Sequence, residues 1–329
     1  MGVARLFRIS MPLDPLVKAF LDQAAAIPRP KIWQLPPQAA RASFAGMMGL
    51  VGPQNVAIGK VENFSIPVTA GPGPARQIAA RAYAPIAISS EPHATLIFFH
   101  GGGFVVGGLD THDGICRMLC AEGNLRVIAV DYRLAPEHPY PAAVDDAVAA
   151  TEWIAANAAG LGIDPGRIAV GGDSAGGTLA AIVTQVARDK GGPGIAFQLL
   201  MFPNTQMDGE TSSLNEYAVG YFLERHTIEW FNGQYAPEEG DRASSLVSPL
   251  RAKDFTRLPP AYVMLGGYDP LHDEGQAYAQ KLRAAGIAVT IADHADMVHC
   301  FIYLDTVLPQ AHTALADAAH AVSAALEAA

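Results

Sequence analysis

The sequence predicts an α/β protein in which a mostly parallel, eight-stranded sheet is flanked by helices and covered by a helical cap. From about residue 61 onward, apolar runs of strand length alternate with segments of helical period. Several runs, among them 96–99 and 262–265, are almost entirely apolar, as is typical of strands that helices cover on both faces. Residues 204–248 separate two such runs by far more than an ordinary connection, which indicates an inserted lid or cap.

The alternation fixes the expected elements in chain order. The strand candidates are 62–68, 78–84, 95–100, 126–132, 167–171, 197–202, 261–266 and 289–292. The helix candidates are 111–121, 141–158, 175–189, 271–285 and 309–328. The first two strands follow one another without a helix, so we expect an antiparallel hairpin at one edge. Strands separated by helices imply parallel pairs with right-handed crossovers.

The cap is expected to be discontinuous, formed by residues 1–60 together with 204–248. The first segment is rich in Ala, Pro and Met and has no strand candidate, and the second concentrates aromatic residues between 217 and 235. The remaining residues, 61–203 and 249–329, would form the catalytic domain. We expect Tyr221, Phe222 and Trp230 to line a substrate pocket. The alternative is that 204–248 is an ordinary surface excursion.

Composition limits the class of partner. The 329 residues carry 22 Lys and Arg against 32 Asp and Glu, a formal net charge of −10, and half of them are hydrophobic. Such a chain can bury a large core, and its acidic surface disfavours nucleic acid and anionic membranes. No apolar stretch approaches the length of a membrane span. A neutral small molecule is the expected substrate.

The cysteines and the N-terminal residues indicate a cytoplasmic location. Cys116, Cys120 and Cys300 are odd in number and lack the spacing of a disulfide framework. Arg5 and Arg8, with nearby prolines, interrupt any apolar run that a signal peptide would need. Neither CxxC spacing nor clustered histidines suggests a metal, so we expect no metal and no cofactor.

A nucleophile motif follows one of the buried strands. Residues 172–176 read Gly-Asp-Ser-Ala-Gly, after the apolar run RIAVG and before the helix candidate at 175. A strand-to-helix turn of this kind holds Ser174 in a strained conformation and needs small residues two before and two after it. The helix N-terminus then directs its free N–H groups at the reacting centre. The alternative is a tight turn with an idle serine.

A glycine run at the end of another strand predicts the oxyanion hole. His100 is followed by three glycines and Phe104, and successive glycines let backbone N–H groups approach a developing oxyanion. We assign the donors to Gly102, Gly103 and Ala175. His100 is expected to order the loop rather than transfer protons. We expect Phe104, Val105 and Asp173 to border the substrate pocket.

The carboxylate and base should follow Ser174 in the chain, in the order found for this kind of elbow. Asp269 comes directly after the buried run AYVMLGG, and His299 lies on a loop after the strand candidate at 289–292. Asp269 would orient His299, which would remove the proton of Ser174. Asp273, one helical turn further, is better explained as a cap or structural carboxylate. His272 and His294 are expected to be solvated.

Together these motifs resemble those of the hormone-sensitive-lipase-like bacterial esterases within the α/β-hydrolase fold. HGGGF at 100–104 and GDSAGG at 172–177 are its two hallmark motifs, and the similarity extends to 131–147, 258–275 and 296–301. The resemblance implies an α/β-hydrolase that cleaves short- to medium-chain acyl esters through an acyl-enzyme. It identifies Ser174, Asp269 and His299 as the triad and implies a possible homodimer formed through a sheet edge. A lipase or an amidase on the same triad is the alternative.

The sequence departs from this family on both sides of the histidine. Asp296 and Cys300 stand where the family usually has glycine. Asp296 would raise the pKa of His299 if the two side chains were close; alternatively it points outward and caps the loop. Cys300 is expected to fill space, because no G-x-C-x-G surrounds it.

Two other classes of function fit the sequence poorly. A dinucleotide oxidoreductase would need G-x-G-x-x-G, but the pattern started at Gly101 ends at Val106 and the one started at Gly172 meets Ser174. No lysine follows Gly177, which excludes a P-loop there. A non-catalytic ligand receptor would have no use for a complete triad and oxyanion glycines.

Overall fold

An eight-stranded sheet lies at the centre of the computed structural model, which describes residues 11–69, 75–87 and 91–329. Its strands lie side by side in the order β1-β2-β4-β3-β5-β6-β7-β8. They are β1 Lys60–Val68, β2 Arg76–Ala84, β3 His93–Phe99, β4 Arg126–Asp131, β5 Ile163–Asp173, β6 Phe197–Met201, β7 Ala261–Tyr268 and β8 Val289–Val298. The predicted α/β class and strand number are confirmed.

The sheet is antiparallel at one edge and parallel elsewhere. β1 and β2 form the predicted hairpin, and β2 also runs antiparallel to β4. The pairs from β4 through β3, β5, β6 and β7 to β8 are all parallel. The carboxyl ends of β3, β5, β7 and β8 therefore meet at the same edge of the sheet, which is where parallel α/β sheets bind ligands.

β8 is longer than the sequence suggested. It pairs with β7 past residue 292, with His294 opposite Gly266 and Val298 opposite Tyr268. The prediction ended this strand early because polar residues begin at Asp293, but an edge strand tolerates them on its exposed side. As a result His299 directly follows the last residue of a strand rather than lying several residues into a loop.

Helices cover both faces of the sheet. They are α1 Pro15–Ala26, α2 Pro37–Val51, α3 Asp113–Gly123, α4 Ala142–Ala156, α5 Ala158–Leu161, α6 Ala175–Lys190, α7 Ser212–Glu216, α8 Arg225–Tyr235, α9 Glu239–Arg242, α10 His272–Ala284 and α11 Pro309–Glu327. Residues of α4, α6 and α10 pack with Ile97 and Phe99 of β3, and those of α3 and α11 pack with Leu96 and Phe98. This period of two along β3 divides the core into two layers.

The two segments outside this framework contact each other. α1 and α2 come from the N-terminal segment, and α7, α8 and α9 come from residues 204–248. The Lys31 Nζ atom lies 2.9 Å from Glu224 Oε1, and the rings of Phe20 and Phe222 lie 6.2 Å apart. Residues 1–10, which the sequence also assigned to the cap, lie outside the described residues.

Helices of the described ranges are all too short or too polar to cross a lipid bilayer.

Candidate active site

Ser174 occupies a sharp turn between β5 and α6. Its backbone has φ +51° and ψ −118°, a conformation that costs a non-glycine residue of order 1–3 kcal/mol. The turn lies directly against β3, since a Cβ added at Gly176 would collide with the Phe99 carbonyl. The Ser174 N–H donates to the Met201 carbonyl at 2.7 Å. These contacts fix the serine at the carboxyl edge of the sheet.

Ser174, His299 and Asp269, which the sequence predicts to act together, form one hydrogen-bonded series. His299 Nε2 lies 3.0 Å from Ser174 Oγ, and His299 Nδ1 lies 2.7 Å from Asp269 Oδ2. The other oxygen of Asp269 accepts the Leu271 N–H at 2.8 Å. Asp269 directly follows β7 and His299 directly follows β8. Each group therefore leaves the end of a different parallel strand, and both Asp269 and His299 are buried.

The charge of Asp269 governs the electrostatics of the histidine. Burial alone lowers the pKa of His299, but the adjacent Asp269 carboxylate, with a further contribution from Cys300, outweighs it, so that the pKa lies well above its usual value. Because a carboxylate can only accept, Nδ1 carries the proton and Nε2 offers its lone pair to the Ser174 hydroxyl. This is the tautomer that a general base requires.

The charge of Asp296 is associated with a neighbouring histidine rather than with the base. Its carboxylate raises the pKa of His294 against a larger lowering by burial, and it is not among the leading groups that shift the pKa of His299. The backbone carbonyl of Asp296 accepts the Asp14 N–H at 3.0 Å. Residue 296 belongs to β8, so its backbone is fixed at the edge of the sheet.

The rival acid and bases lie elsewhere. Asp273, on the first turn of α10, accepts the Ser213 N–H at 2.9 Å and so joins α10 to α7. His272 is buried and lies 3.2 Å from Asp293, so the prediction of a solvated residue is wrong. The N-terminus of α10 packs against β8 and covers it. His294 is partly buried, with its ring 4.8 Å from that of Phe301.

The candidate oxyanion donors border the same cavity as Ser174. Gly102, Gly103 and Ala175 all line it. The backbone N–H groups of these three residues donate no hydrogen bond to any of the described residues. Gly103 has φ +58°, and a Cβ there would collide with the ring of Phe231 on α8. Glycine is therefore required both by the backbone conformation and by the contact.

His100 orders this loop. It is buried, its ring stacks on Tyr132 at 4.3 Å, and Nδ1 donates to the Gly101 carbonyl at 2.7 Å. Burial lowers the pKa of His100 to about 3, so the ring is neutral. His100 also does not line the cavity.

The cavity has a volume of about 490 Å³ and a largely apolar wall. Phe104 and Phe222 line it as predicted. The sequence assigned the segments that contain α1, α2 and α8 to the cap, but it did not identify which residues of these helices line the cavity. From these helices come Phe20, Leu21, Phe44, Met47, Ile228 and Phe231. Their spacing on amphipathic helices is the only sequence signal, and it does not distinguish a cavity wall from an ordinary core face.

Four residues predicted at the pocket lie outside its lining. Asp173 is fully buried behind the turn, where it accepts the Gly101 N–H at 3.0 Å and the Tyr303 hydroxyl. Strand alternation directs it away from the side that Ser174 faces. The side chain of Val105 belongs to the core, Tyr221 stacks on Tyr268, and Trp230 packs beside Phe231.

A further buried carboxyl group, that of Glu274, lies near Asp269 and His299. Glu274 Oε1 accepts the N–H groups of Thr205 at 2.6 Å and Gln206 at 3.2 Å. Burial raises the pKa of Glu274 to about 8, despite these two hydrogen bonds, and the charge of Asp269 adds to the rise. Across the described ranges, no group of three or more His, Cys, Asp or Glu side chains is placed to hold a metal ion.

Comparisons with known proteins converge on one class. A family profile described as an alpha/beta hydrolase fold matches residues 96–303. Carboxylic ester hydrolase LipN of Mycobacterium tuberculosis is 46% identical over 239 residues, which are 71% of this chain and 63% of LipN. Esterase LipI of the same organism is 47% identical over 241 residues, 73% of this chain and 75% of LipI. The match to LipN thus spans somewhat less than two thirds of that relative.

Solved structures are similar over nearly the whole chain. An ester-hydrolase from the metagenome of Lake Arreo, Spain, superposes with a TM-score of 0.90 at 42% identity, covering 95% of this chain and 98% of its own. An esterase from the archaeon Pyrobaculum calidifontis superposes with a TM-score of 0.86 at 35% identity, covering 95% and 99%.

Proposed function

Because the chain belongs to the hormone-sensitive-lipase-like esterases of the α/β-hydrolase fold, we propose that it hydrolyses short- to medium-chain carboxylic esters through Ser174, His299 and Asp269. The hydrogen-bonded series at 3.0 and 2.7 Å, opening onto an apolar cavity, carries this proposal. Nucleophile, base and orienting carboxylate in this order are what acyl transfer needs, which supports the proposal.

The reaction has two halves. Ser174 Oγ attacks the ester carbonyl carbon while its proton passes to His299 Nε2, and the N–H groups of Gly102, Gly103 and Ala175 receive the oxyanion. Collapse of this tetrahedral intermediate breaks the bond to the alcohol oxygen, which takes the proton from His299. Water then attacks the acyl-enzyme with His299 again as the base, releasing the acid and free Ser174.

Residues 1–60 and 204–248 act as a discontinuous cap, and 61–203 with 249–329 form the catalytic domain. Support comes from the cavity wall, since residues 20–47 and 222–231 supply most of its apolar residues while the sheet edge supplies Ser174 and His299. A cavity of about 490 Å³ lies within the range of small-molecule sites. Acyl chains of short to medium length are therefore the expected substrates.

We also propose a cytoplasmic location and a homodimer. Cys116, Cys120 and Cys300 are all buried and unpaired, which favours a reducing compartment. A homodimer is an expectation carried over from the family.

Two experiments test the function. Colour release from p-nitrophenyl esters of increasing acyl length, with no added cofactor, should be fastest for short to medium chains. Ser174→Ala should fold normally and lose at least 99% of the rate, roughly the lower bound for loss of a triad nucleophile. An organophosphate should label Ser174 alone. Labelling of a cysteine, or an active Ser174→Ala, would contradict the mechanism.

A further inference from the structure

Arg41, on the first turns of α2, holds two backbone carbonyls of the catalytic domain at once. Its Nε donates to the Val105 carbonyl at 2.8 Å, and its Nη2 donates to the Ala135 carbonyl at 2.9 Å. Nη1 and Nη2 also form a fork with the Glu137 carboxylate at 2.9 and 2.6 Å. The guanidinium therefore binds three groups in one plane, which lysine cannot do.

The carbonyl of Val105 belongs to the loop that carries the proposed oxyanion donors. This loop is irregular, because Gly102, Gly103 and Phe104 all have positive φ, at +114°, +58° and +63°. Within it the N–H groups of Val105 and Val106 both donate to the Gly102 carbonyl. The Phe104 carbonyl accepts the Ala135 N–H at 2.9 Å. None of these bonds involves the Val105 carbonyl, and among the described residues its hydrogen-bond donor is Arg41.

Arg41 also connects this loop to the wall of the cavity. Three other residues of α2, Ser43, Phe44 and Met47, line the cavity that holds Ser174. The same helix thus touches the space for substrate with one part of its surface and, through Arg41, the oxyanion loop with another. Arg41 itself does not line the cavity, so it has no direct contact with substrate there.

We propose that Arg41 is a positioning residue for the ester hydrolysis proposed above, and that it acts by holding the Val105 carbonyl and so fixing the N–H groups of Gly102 and Gly103. The proposal rests on that function. A shift of about 1 Å in a catalytic group can cost about a hundredfold in rate, and loss of one oxyanion donor costs about 10²- to 10³-fold.

A purely structural role predicts something different. If the ion pair with Glu137 were what mattered, its loss would change stability and little else, because Arg41 and Glu137 are 28% and 42% exposed and exposed pairs contribute little. Arg41→Lys separates the two explanations, since lysine keeps the charge opposite Glu137 but loses the fork. Glu137→Gln makes the converse change, because it removes the ion pair while Arg41 keeps its hydrogen bonds to the Val105 and Ala135 carbonyls.

Arg225 provides a matched control. It also lies in the proposed cap and binds two carboxylates, Glu210 and Glu229, with a side chain 30% exposed. None of its hydrogen bonds reaches the oxyanion loop. Arg225→Lys therefore reports the cost of replacing a forked arginine on the cap without disturbing the loop.

The test compares kcat, KM and the binding of a trifluoromethyl ketone in these variants. Ser174 Oγ adds to the ketone carbon, the carbonyl electron pair becomes the oxyanion, and the serine proton moves to His299, so affinity reports the oxyanion hole. For Arg41→Lys we expect kcat to fall about 10- to 100-fold with KM within about threefold. The ketone Ki should rise by the factor by which kcat/KM falls. Glu137→Gln and Arg225→Lys should change kcat less than about fivefold.

The concentration of active sites is taken from the end point of organophosphate labelling. Because kcat is calculated from this concentration, an unfolded fraction of a variant does not lower its kcat. An unchanged kcat and Ki in Arg41→Lys, or an equal loss in Glu137→Gln, would overturn the role of the two carbonyls. Ser174→Ala is measured in parallel, because an active Ser174→Ala would instead refute the proposed function.

Discussion

Asp269→Asn replaces one carboxylate oxygen by an NH2 group and should reverse the tautomer of His299. Asp269 Oδ1 accepts the Leu271 N–H at 2.8 Å, and Oδ2 lies 2.7 Å from His299 Nδ1. Asparagine has the same shape, so its carbonyl oxygen would keep the bond from Leu271 and its amide group would face Nδ1. An amide N–H can only donate. Nδ1 would then have to accept, which moves the imidazole proton to Nε2, facing Ser174.

The expected loss is large because the base then has no lone pair directed at the nucleophile. A wrong tautomer in a triad of this geometry lowers kcat by about 10⁴, which corresponds to about 5 kcal/mol of transition-state stabilisation. The pH profile should move as well. The Asp269 carboxylate raises the pKa of His299, so removing its charge lowers that pKa, and the acid limb of kcat/KM shifts to lower pH.

The assay is a pH series of kcat/KM for a p-nitrophenyl ester, with Asp273→Asn as the matched control. Asp273 is four residues away on α10 and binds the Ser213 N–H instead of the imidazole. Its variant should stay within about threefold of wild type. If Asp269→Asn kept more than about a hundredth of kcat, or if its acid limb did not move, the assignment of the carboxylate would be wrong.

Four further outcomes are expected. Gly103→Ala should lower kcat/KM by about tenfold or more, because the new Cβ meets the Phe231 ring and φ is +58°; full activity would show that the loop moves freely. Phe231→Ala should shift the preferred acyl length in a chain-length profile, whereas Trp230→Ala, outside the cavity lining, should not. Asp296→Gly should give an acid limb superimposable on that of wild type, since its charge acts on His294. Glu274→Gln should gain stability relative to wild type in urea unfolding as pH rises from about 5 to about 8. Burial raises the pKa of Glu274 to about 8, so over this range the carboxyl ionises in the unfolded chain while the folded protein keeps its proton. Stability therefore falls with pH in wild type but not in the glutamine variant, and parallel pH curves would contradict this.

The central sheet and the five long helices that cover it were predictable because each of these elements has a local signal in the sequence. The apolar runs before Ser174 and Asp269 mark strands covered on both faces, and the helical period resumes after each. The end of β8 was missed because its last residues alternate polar and apolar only weakly. Pairing with β7, rather than local preference, carries the strand on to Val298.

The parts of the site that could not be predicted depend on contacts between distant segments. Arg41 and the Val105 carbonyl are 64 positions apart, and nothing in the sequence around Arg41 distinguishes it from an arginine in solvent. Asp173 is expected at the pocket and is next to Ser174 in the sequence, but the turn at Ser174 places the two side chains on opposite sides of the backbone. Adjacency in the sequence therefore does not show that two side chains face the same cavity, because the direction of the backbone decides where each one points.

The backbone is strained at several positions around the cavity, and Cys300 is one of them. Ser174, Phe104, Phe222 and Cys300 all have positive φ and all line the cavity. Each such conformation costs a side chain of order 1–3 kcal/mol and persists only where the surroundings enforce it. Cys300 has φ +52° directly after His299 and before a 3₁₀ turn at Phe301–Leu304. The left-handed conformation is what a glycine at this position would adopt at little cost. Cys300 instead adds a buried side chain to the cavity wall next to the base, in a backbone conformation that is unfavourable for any residue with a Cβ.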